Sequence, residues 1–311
     1  MKRPPRLRPG DTIGLIAPAG PVADLTVVAR AVESIERRGY RVRLGRHAAQ
    51  PPFGYLSGTD EERRADLVEV AARSEVKAVI GLKGGYGALR LLGASDPSIL
   101  PSGEKIFAGF SDITTLLLAG FAAHGGVVFH GPMPLFDFAG PHCSGKNEAM
   151  LFSMLEGETA SLEIDLGGEG YSSSCGESVA GILWGGNLSS LAYLAGTGWI
   201  SRVEDSIVFF EEVDEQPYAI DRYLTRIRLA GLFDGARAFV VGSLIHCVPA
   251  AGMPSFSARE VIEERLSVYK VPVVFTEAFG HGERMCTLPI GMEATLDCGA
   301  SRILLGETPV S

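Results

Sequence analysis

The residue best placed to do chemistry is Ser111, which follows a short apolar run and precedes a helical segment. Residues 106–110 are apolar and bounded, as is typical of a fully buried strand. Gly109 suits a sharp strand-to-helix bend because it lacks a side chain. The pattern resembles a nucleophile elbow, although the second glycine of the G-x-S-x-G motif is missing. A capping role for Ser111 at the helix start is an equally weighted alternative.

A glycine-rich turn, residues 83–87 (Lys-Gly-Gly-Tyr-Gly), follows the predicted strand that ends at Leu82. Glycines let several backbone N–H groups point into one cavity, so this turn could bind an anion or a developing oxyanion. The alternative is a tight turn that needs glycine only for its positive φ angles.

An acidic run and a loop histidine complete the set of candidate groups. Residues 211–215 (Glu-Glu-Val-Asp-Glu) follow an apolar strand, where an acid can orient a histidine or lie in a solvated loop. His281 stands between two glycines, which indicates a ring presented from a loop, and His130 is a second loop candidate. Serine, histidine, carboxylate and backbone donors together suit general-base catalysis by a nucleophile.

The strand before the acidic run leaves the choice of acid open. Adjacent residues on a strand point to opposite faces, so only one of Glu211 and Glu212 can readily reach His281. Residues 206–210 are apolar on both sides, and alternation alone therefore does not choose between the two glutamates.

Composition excludes several classes of function. The 311 residues, 46% of them hydrophobic, are enough for a sizeable core and suggest two domains or one large one. A net charge of −9 argues against nucleic acid or an anionic membrane as a partner. No apolar run approaches the roughly 18 residues needed to span a bilayer, and no secretory signal is evident.

The metal-binding residue types form no pattern that predicts a metal site or another cofactor site. The cysteines are odd in number and include no C-x-x-C pair. They fit reduced thiols in a cytoplasmic protein better than a disulfide framework or a zinc site. The cysteines are Cys143, Cys175, Cys247, Cys286 and Cys298.

The first half of the chain alternates predicted strands and helices, which favours an α/β fold with a mostly parallel sheet flanked by helices. The composition changes near residue 138, so we predict an N-terminal α/β domain over 1–140, a linker region over 141–178 and a C-terminal domain over 179–311. The predicted strands are 12–17, 41–44, 77–82, 106–110, 179–184, 206–210, 238–244, 271–275 and 292–296, and the helices are 23–38, 59–72, 88–92 and segments that start near Asp112, Glu148, Leu188 and Pro217.

Several short motifs, spread over nearly the whole chain in one order, carry a resemblance to a known family. The chain resembles the serine L,D-carboxypeptidases of murein recycling, a family that also contains the microcin C immunity peptidase. The matching segments are 13–18, 58–60 with Arg63 and 66–67, 84–87, 109–114, 185–188, 211–215 with 221–222, and 280–281.

The resemblance implies an N-terminal α/β domain joined to a C-terminal domain with its own β structure, usually as a homodimer. It also implies a catalytic triad at their junction, which falls on Ser111, Glu211 and His281 in this sequence. The family's oxyanion donors fall on the backbone N–H groups of Gly85 and Asp112.

The sequence departs from the family pattern at two positions near these groups. Lys83 stands where arginine is common, which bears on how a substrate carboxylate is held, and Glu212 stands where aspartate is common. Glu212 is expected on the face opposite the triad, as a solvated or helix-capping residue. We expect Lys83, Gly84 and Asn187 to contact substrate.

The predicted function is a metal-independent serine peptidase that removes the C-terminal D-alanine from muropeptide tetrapeptides across an L,D peptide bond. The alternative within the family is a hydrolase of peptidyl- or aminoacyl-nucleotide antibiotics. A rival of another class is a non-catalytic α/β protein that binds an anion at the Gly84 turn and the helix terminus near Asn187.

Overall fold

A computed structural model of the chain describes residues 1–93, 97–139, 145–167 and 178–311. The strands are β1 Thr12–Ile16, β2 Arg41–Leu44, β3 Val76–Gly81, β4 Ile106–Gly109, β5 Val128–His130, β6 Glu163–Asp165, β7 Val179–Asn187, β8 Ser206–Val213, β9 Ala236–Ile245, β10 Val273–Phe275, β11 Leu288–Ile290, β12 Glu293–Asp297 and β13 Arg302–Leu305. The helices are α1 Leu25–Arg37, α2 Asp60–Ala72, α3 Ala88–Leu92, α4 Thr114–His124, α5 Lys146–Glu156, α6 Leu188–Leu194, α7 Pro217–Leu229 and α8 Ala258–Leu266.

The described residues form two compact units that are not continuous in the chain. The first consists of Met1–Ser161, Cys286–Pro289 and Thr308–Ser311, and the second of Leu162–Met285 and Ile290–Glu307. Helix α5, which the sequence analysis assigns to the linker region, belongs to the first unit. The domain boundaries 1–140, 141–178 and 179–311 remain a prediction.

The first unit contains a six-stranded sheet in the order β11-β5-β4-β3-β1-β2. Strands β5, β4, β3, β1 and β2 run parallel. Their residues are mostly buried, as expected for a parallel sheet covered by helices. The mostly parallel α/β fold predicted from the sequence is confirmed.

Local sequence signals explain where the helices of the first unit begin. Thr59 and Glu62 form a capping box at the start of α2, each side chain bonding the other residue's backbone N–H. Asp24 caps α1 by accepting the N–H of Thr26. Helix α4 is apolar around its whole circumference and is buried from Thr114 to Gly120.

The second unit has its own seven-stranded sheet, in the order β10-β9-β8-β7-β12-β13-β6. The four strands β10, β9, β8 and β7 run parallel, whereas β12, β13 and β6 are attached in antiparallel fashion. Helix α7 starts at Pro217, as the sequence predicts, and it buries Ile220, Leu224 and Ile227 on one face. The C-terminal β structure is therefore confirmed.

Two expectations about local structure are wrong. Strand β8 extends to Val213 and is buried through Glu212, so Glu211 and Glu212 do not lie in a solvated loop. His130 is not a loop residue, because it ends strand β5 and is fully buried. The acidic side chains of Glu211 and Glu212 and the Gly131-Pro132 pair after His130 suggest loops, but pairing with a neighbouring strand determines both segments.

The thiols also differ from expectation in part. Cys298 is disulfide-bonded, so the prediction of a reduced thiol is wrong there. Cys247 is a free, buried thiol, in agreement with the prediction, and Cys286 is buried. Cys143 and Cys175 lie outside the described residues. Within the part of the chain that the structure describes, no helix is long and apolar enough to cross a membrane.

Candidate active site

Ser111 lies directly beyond the carboxyl end of β4 in a strained conformation. A single 3-10 turn, Ser111–Ile113, follows and leads into α4. The φ angle of Ser111 is 58°, a left-handed value that costs a non-glycine residue about 1–3 kcal/mol. The N-cap of this turn is Phe110 and that of α4 is Ile113, so Ser111 holds neither capping position and the capping alternative is not supported.

Gly109 and Gly84 leave room for the bend at Ser111. A Cβ atom at Gly109 would lie 2.8 Å from Cγ2 of Ile113. A Cβ atom at Gly84 would lie 2.6 Å from Cβ and 2.7 Å from Oγ of Ser111. Both distances are far below a van der Waals contact, so each position requires glycine and the turn at Gly84 packs directly on the serine.

The turn at residues 83–87 follows β3, the parallel neighbour of β4. The carboxyl ends of parallel neighbours meet at one edge of a sheet, which brings the turn to Ser111. Gly85 and Gly87 have φ angles of 112° and 128°, which few other residue types adopt. The carbonyl of Gly84 accepts a hydrogen bond of 3.0 Å from the N–H of Gly20.

The Asp112 side chain bonds the far end of this turn. Its Oδ2 atom accepts the N–H of Ala88 at 2.7 Å. Burial raises the pKa of Asp112 to about 6, against the opposing effects of backbone hydrogen bonds from Ala88 and Gly87 and the charge of Arg63. Arg63 is itself buried and donates to the carbonyl of Gly87 at 2.9 Å.

Lys83 opens the turn and is half-buried. Its Nζ atom lies 6.0 Å from the centroid of the Phe136 ring. Burial lowers the pKa of Lys83, because a charged ammonium group loses hydration there. The predicted contact between Lys83 and substrate stays a prediction.

In the second unit, His281 and Glu211 form a short hydrogen bond. Nδ1 of His281 lies 2.7 Å from Oε2 of Glu211, and the Glu211 side chain is fully buried. Burial lowers the pKa of His281, but the charge and hydrogen bond of Glu211 outweigh it and hold the pKa above its usual value. His281 keeps about a fifth of its side-chain surface exposed.

Strand β9 has a bulge opposite Glu211. Phe210 pairs with Val241 and Glu212 with Leu244, so two residues of β9 stand opposite Glu211 alone. One of them, Ser243, donates its N–H to the carbonyl of Phe279 at 2.9 Å, which ties the bulge to the segment before His281.

Gly280 lets the histidine loop approach the bulge. Its φ angle is 117°, and a Cβ atom there would lie 3.1 Å from Oε2 of Glu211 and in conflict with Oγ of Ser243. The Ser243 side chain is buried, and its hydroxyl has no hydrogen-bond partner among the residues described. Ser243 could not be predicted as part of this site, since nothing in its local sequence distinguishes it from any other serine on a strand.

Glu212 points away from His281 and holds the start of α6. Its carboxylate accepts the Ser189 N–H at 2.8 Å and the Asn187 amide at 3.0 Å. Burial, followed by the charge of Glu211, raises the pKa of Glu212 to about 7. The helix-capping expectation for Glu212 fits these contacts, whereas the solvated alternative is wrong because the residue is 2% exposed.

Asn187 is the N-cap residue of α6. Its Oδ1 atom accepts the N–H of Ser190, and its amide donates to Glu212. The side chain is 4% exposed, so these contacts favour a role in positioning over the predicted contact with substrate.

The structure therefore brings the predicted groups together in two sets. Gly84, Gly85, Ser111 and Asp112 lie in the first unit, and Glu211 and His281 lie in the second. Among the described residues, no group of three or more His, Cys, Asp or Glu side chains could hold a metal ion.

A strained serine at the end of a parallel strand is found among hydrolases, and so is a histidine oriented by a buried carboxylate. The LD-carboxypeptidase N-terminal domain matches residues 13–131, and the LD-carboxypeptidase C-terminal domain matches residues 180–296. The chain belongs to the LD-carboxypeptidase family, peptidase family S66, which consists of serine carboxypeptidases.

Individual relatives agree with this assignment over almost their full length. A probable murein peptide carboxypeptidase of Bacillus subtilis is 33% identical over 295 residues, 95% of this chain and 91% of that protein. The microcin C7 self-immunity protein MccF of Escherichia coli is 26% identical, covering 97% of this chain and 95% of that protein. The crystal structure of muramoyltetrapeptide carboxypeptidase from Oxalobacter formigenes has a TM-score of 0.80 and 32% identity, covering 94% of this chain and 97% of that one.

Proposed function

We propose that the chain is a serine carboxypeptidase that removes the C-terminal D-alanine from murein tetrapeptides across an L,D peptide bond. Family membership supports the reaction class, and the names of the Bacillus and Oxalobacter relatives support the substrate. The observation that carries the catalytic assignment is the strained Ser111 packed against a glycine-rich turn.

In the proposed mechanism Ser111 is the nucleophile and His281 the general base. The bond between Nδ1 of His281 and Glu211 favours the tautomer that carries its proton on Nδ1. The Nε2 lone pair then takes the proton of the Ser111 hydroxyl while Oγ attacks the substrate carbonyl carbon. His281 next gives that proton to the amine of D-alanine as the C–N bond breaks. In the second half, His281 takes a proton from water as its oxygen attacks the acyl carbon, and returns that proton to Ser111 Oγ as the ester bond breaks.

Glu211 has two tasks in this mechanism. It fixes the ring orientation of His281, and its charge stabilises the imidazolium that forms when the proton is transferred. The raised pKa of His281 is consistent with this second task, since it reports a favourable interaction with the protonated ring.

The backbone N–H groups of Gly85 and Asp112 are proposed to donate to the oxyanion of the tetrahedral intermediate. Asp112 directly follows the nucleophile, and Gly85 lies in the turn that packs on it. Each such donor contributes about 3 kcal/mol to transition-state stabilisation in comparable enzymes.

The proposal is tested by assaying the purified protein on a murein tetrapeptide, on the matched peptide that ends in L-alanine, and on a peptidyl-nucleotide. We expect release of free D-alanine from a murein tetrapeptide, little release from the matched peptide that ends in L-alanine, and no change of rate in EDTA. The reaction should disappear in Ser111→Ala. Full activity in Ser111→Ala would exclude the mechanism, and inactivity of the wild-type protein on every substrate would favour the non-catalytic binding protein.

A second candidate function is hydrolysis of a peptidyl- or aminoacyl-nucleotide antibiotic. The near full-length similarity to the Escherichia coli self-immunity protein supports it. The third substrate is therefore a peptidyl-nucleotide, and a kcat/KM on it that exceeds the value for the tetrapeptide would select this function.

We further propose that the protein is a cytoplasmic homodimer that acts without a cofactor, as the resemblance to the family suggests. Sedimentation equilibrium at several protein concentrations tests the dimer, and fractionation of the producing cells tests the location. A monomer at micromolar concentration, or recovery outside the cytoplasm, would contradict these points.

A further inference from the structure

The side chain of Asp112 makes contacts that are separate from the proposed task of its backbone N–H. Its carboxylate accepts the N–H of Ala88 at 2.7 Å. Asp112 directly follows Ser111, whereas Ala88 directly follows the turn at residues 83–87, which contains Gly85. One carboxylate therefore joins the nucleophile segment to the turn, across 24 residues of sequence.

The turn is held from its other side as well. The buried guanidinium of Arg63 donates to the carbonyl of Gly87 at 2.9 Å and also to the carbonyl of Pro18. The carbonyl of Gly84 accepts the N–H of Gly20 at 3.0 Å. Backbone groups at both ends of the turn are thus fixed, which leaves little freedom for the N–H of Gly85 between them.

We propose that Asp112 is a positioning residue whose carboxylate fixes the turn at residues 83–87 against Ser111, so that the N–H of Gly85 points at the oxyanion. This inference rests on the proposed function. It extends that function because the same residue would supply one oxyanion donor through its backbone and hold the other through its side chain. Donors of this kind contribute only when they are fixed before the reaction begins.

The expected effect of removing the carboxylate follows from this geometry. Asp112→Ala frees the N–H group of Ala88 and loosens the turn, which should lower kcat about 10- to 100-fold. KM should change less than about threefold, because the donors act mainly on the transition state. Asp112→Asn keeps one oxygen acceptor for the Ala88 N–H and should recover part of the lost kcat.

Amide hydrogen exchange provides a readout that does not depend on activity. The amide of Ala88 should exchange about tenfold faster or more in Asp112→Ala, with a smaller change in Asp112→Asn. Asp297→Asn is the matched control, since that carboxylate accepts the Ala300 N–H at 3.1 Å in the hairpin between β12 and β13. We expect wild-type kcat and wild-type exchange of Ala88 in this control.

Two results would overturn the inference. One is an Ala88 amide that stays protected in Asp112→Ala, and the other is a loosened turn with unchanged kcat. If the wild-type protein hydrolyses none of the substrates, the proposed function fails. Exchange then decides the positioning role alone: faster Ala88 exchange in Asp112→Ala supports it, and unchanged exchange refutes it.

Discussion

Ser111 in the first unit is held by backbone geometry, whereas His281 in the second unit is held by a buried charge. The serine has a left-handed φ angle and packs on Gly84, where a Cβ atom would collide with it. The histidine lies on a loop and is oriented by Glu211, a fully buried carboxylate at 2.7 Å. Backbone geometry thus fixes Ser111 in a strained conformation, and electrostatic attraction fixes the orientation of His281.

Ser111 and His281 should therefore be disrupted by different kinds of substitution. The position of Ser111 should be insensitive to nearby changes of charge but sensitive to added volume, because added atoms collide with the serine or shift the turn. The orientation of His281 should be insensitive to small changes of volume but sensitive to loss of the Glu211 charge, since that charge sets both the tautomer and the pKa of His281. Substitutions that change volume near Ser111 can therefore be compared with substitutions that change charge near His281.

The largest effect is expected at the nucleophile itself. Ser111→Ala should lower kcat by a factor of about 10³ or more while the melting temperature stays the same. Ser111→Gly should be equally inactive but more stable by about 1 kcal/mol, because glycine accepts the positive φ angle without strain. Thermal unfolding of both variants checks this difference, and an unchanged stability of the glycine variant would remove strain from the account of the serine.

The next largest effect is expected at the carboxylate. Glu211→Gln keeps the volume but loses the charge, and should lower kcat about 10³- to 10⁴-fold through a mis-set tautomer of His281. Glu212→Gln is the matched control on the opposite face of β8, and should lose less than about tenfold. Steady-state kinetics of the two variants check the ranking, and the reverse order would exclude Glu211 from the proposed mechanism.

A volume change at the turn should have a smaller effect. Gly84→Ala adds one methyl group 2.7 Å from Oγ of Ser111 and should lower kcat about 10- to 100-fold. Gly306→Ala is the control, because a Cβ atom there meets nothing within 4 Å. Equal kcat values for Gly84→Ala and the wild-type protein would show that the turn does not constrain the serine.

The first region was the more predictable of the two because its signals are local. The apolar run before Ser111, the bending Gly109 and the capping box of Thr59 and Glu62 all operate within a few residues. The alternation of strands and helices then predicts a parallel sheet, which places the turn after β3 beside the serine.

The second region was harder to predict because its partners are distant in sequence. Two adjacent glutamates after an apolar run suggest a solvated loop, yet β8 continues through Glu211 and Glu212 and both are buried. Their burial depends on His281, 70 residues away, and on Asn187 and the backbone of α6, which no local pattern reveals. Side-chain alternation could show that the glutamates diverge, but not which one faces the histidine.

The smallest expected effect is a shift of pH dependence, and it separates the charge of Glu211 from its shape. Glu211 holds the pKa of His281 above the ordinary value of about 6.5 even though burial acts in the opposite direction. The base must be neutral, so the acid limb of kcat/KM should have its midpoint above about pH 6.5, with activity falling as pH decreases through it.

In Glu211→Gln the opposing effect of burial remains while the attraction is lost. The pKa of His281 should then fall, and the acid limb of the residual activity should move to lower pH. Glu212→Gln should move the limb in the same direction but by less, because Glu212 raises the pKa of His281 only through its more distant charge. Rate profiles together with an NMR titration of the His281 ring check both shifts. A limb that disappears in Glu212→Gln instead would assign the titration to Glu212, whose own pKa is about 7.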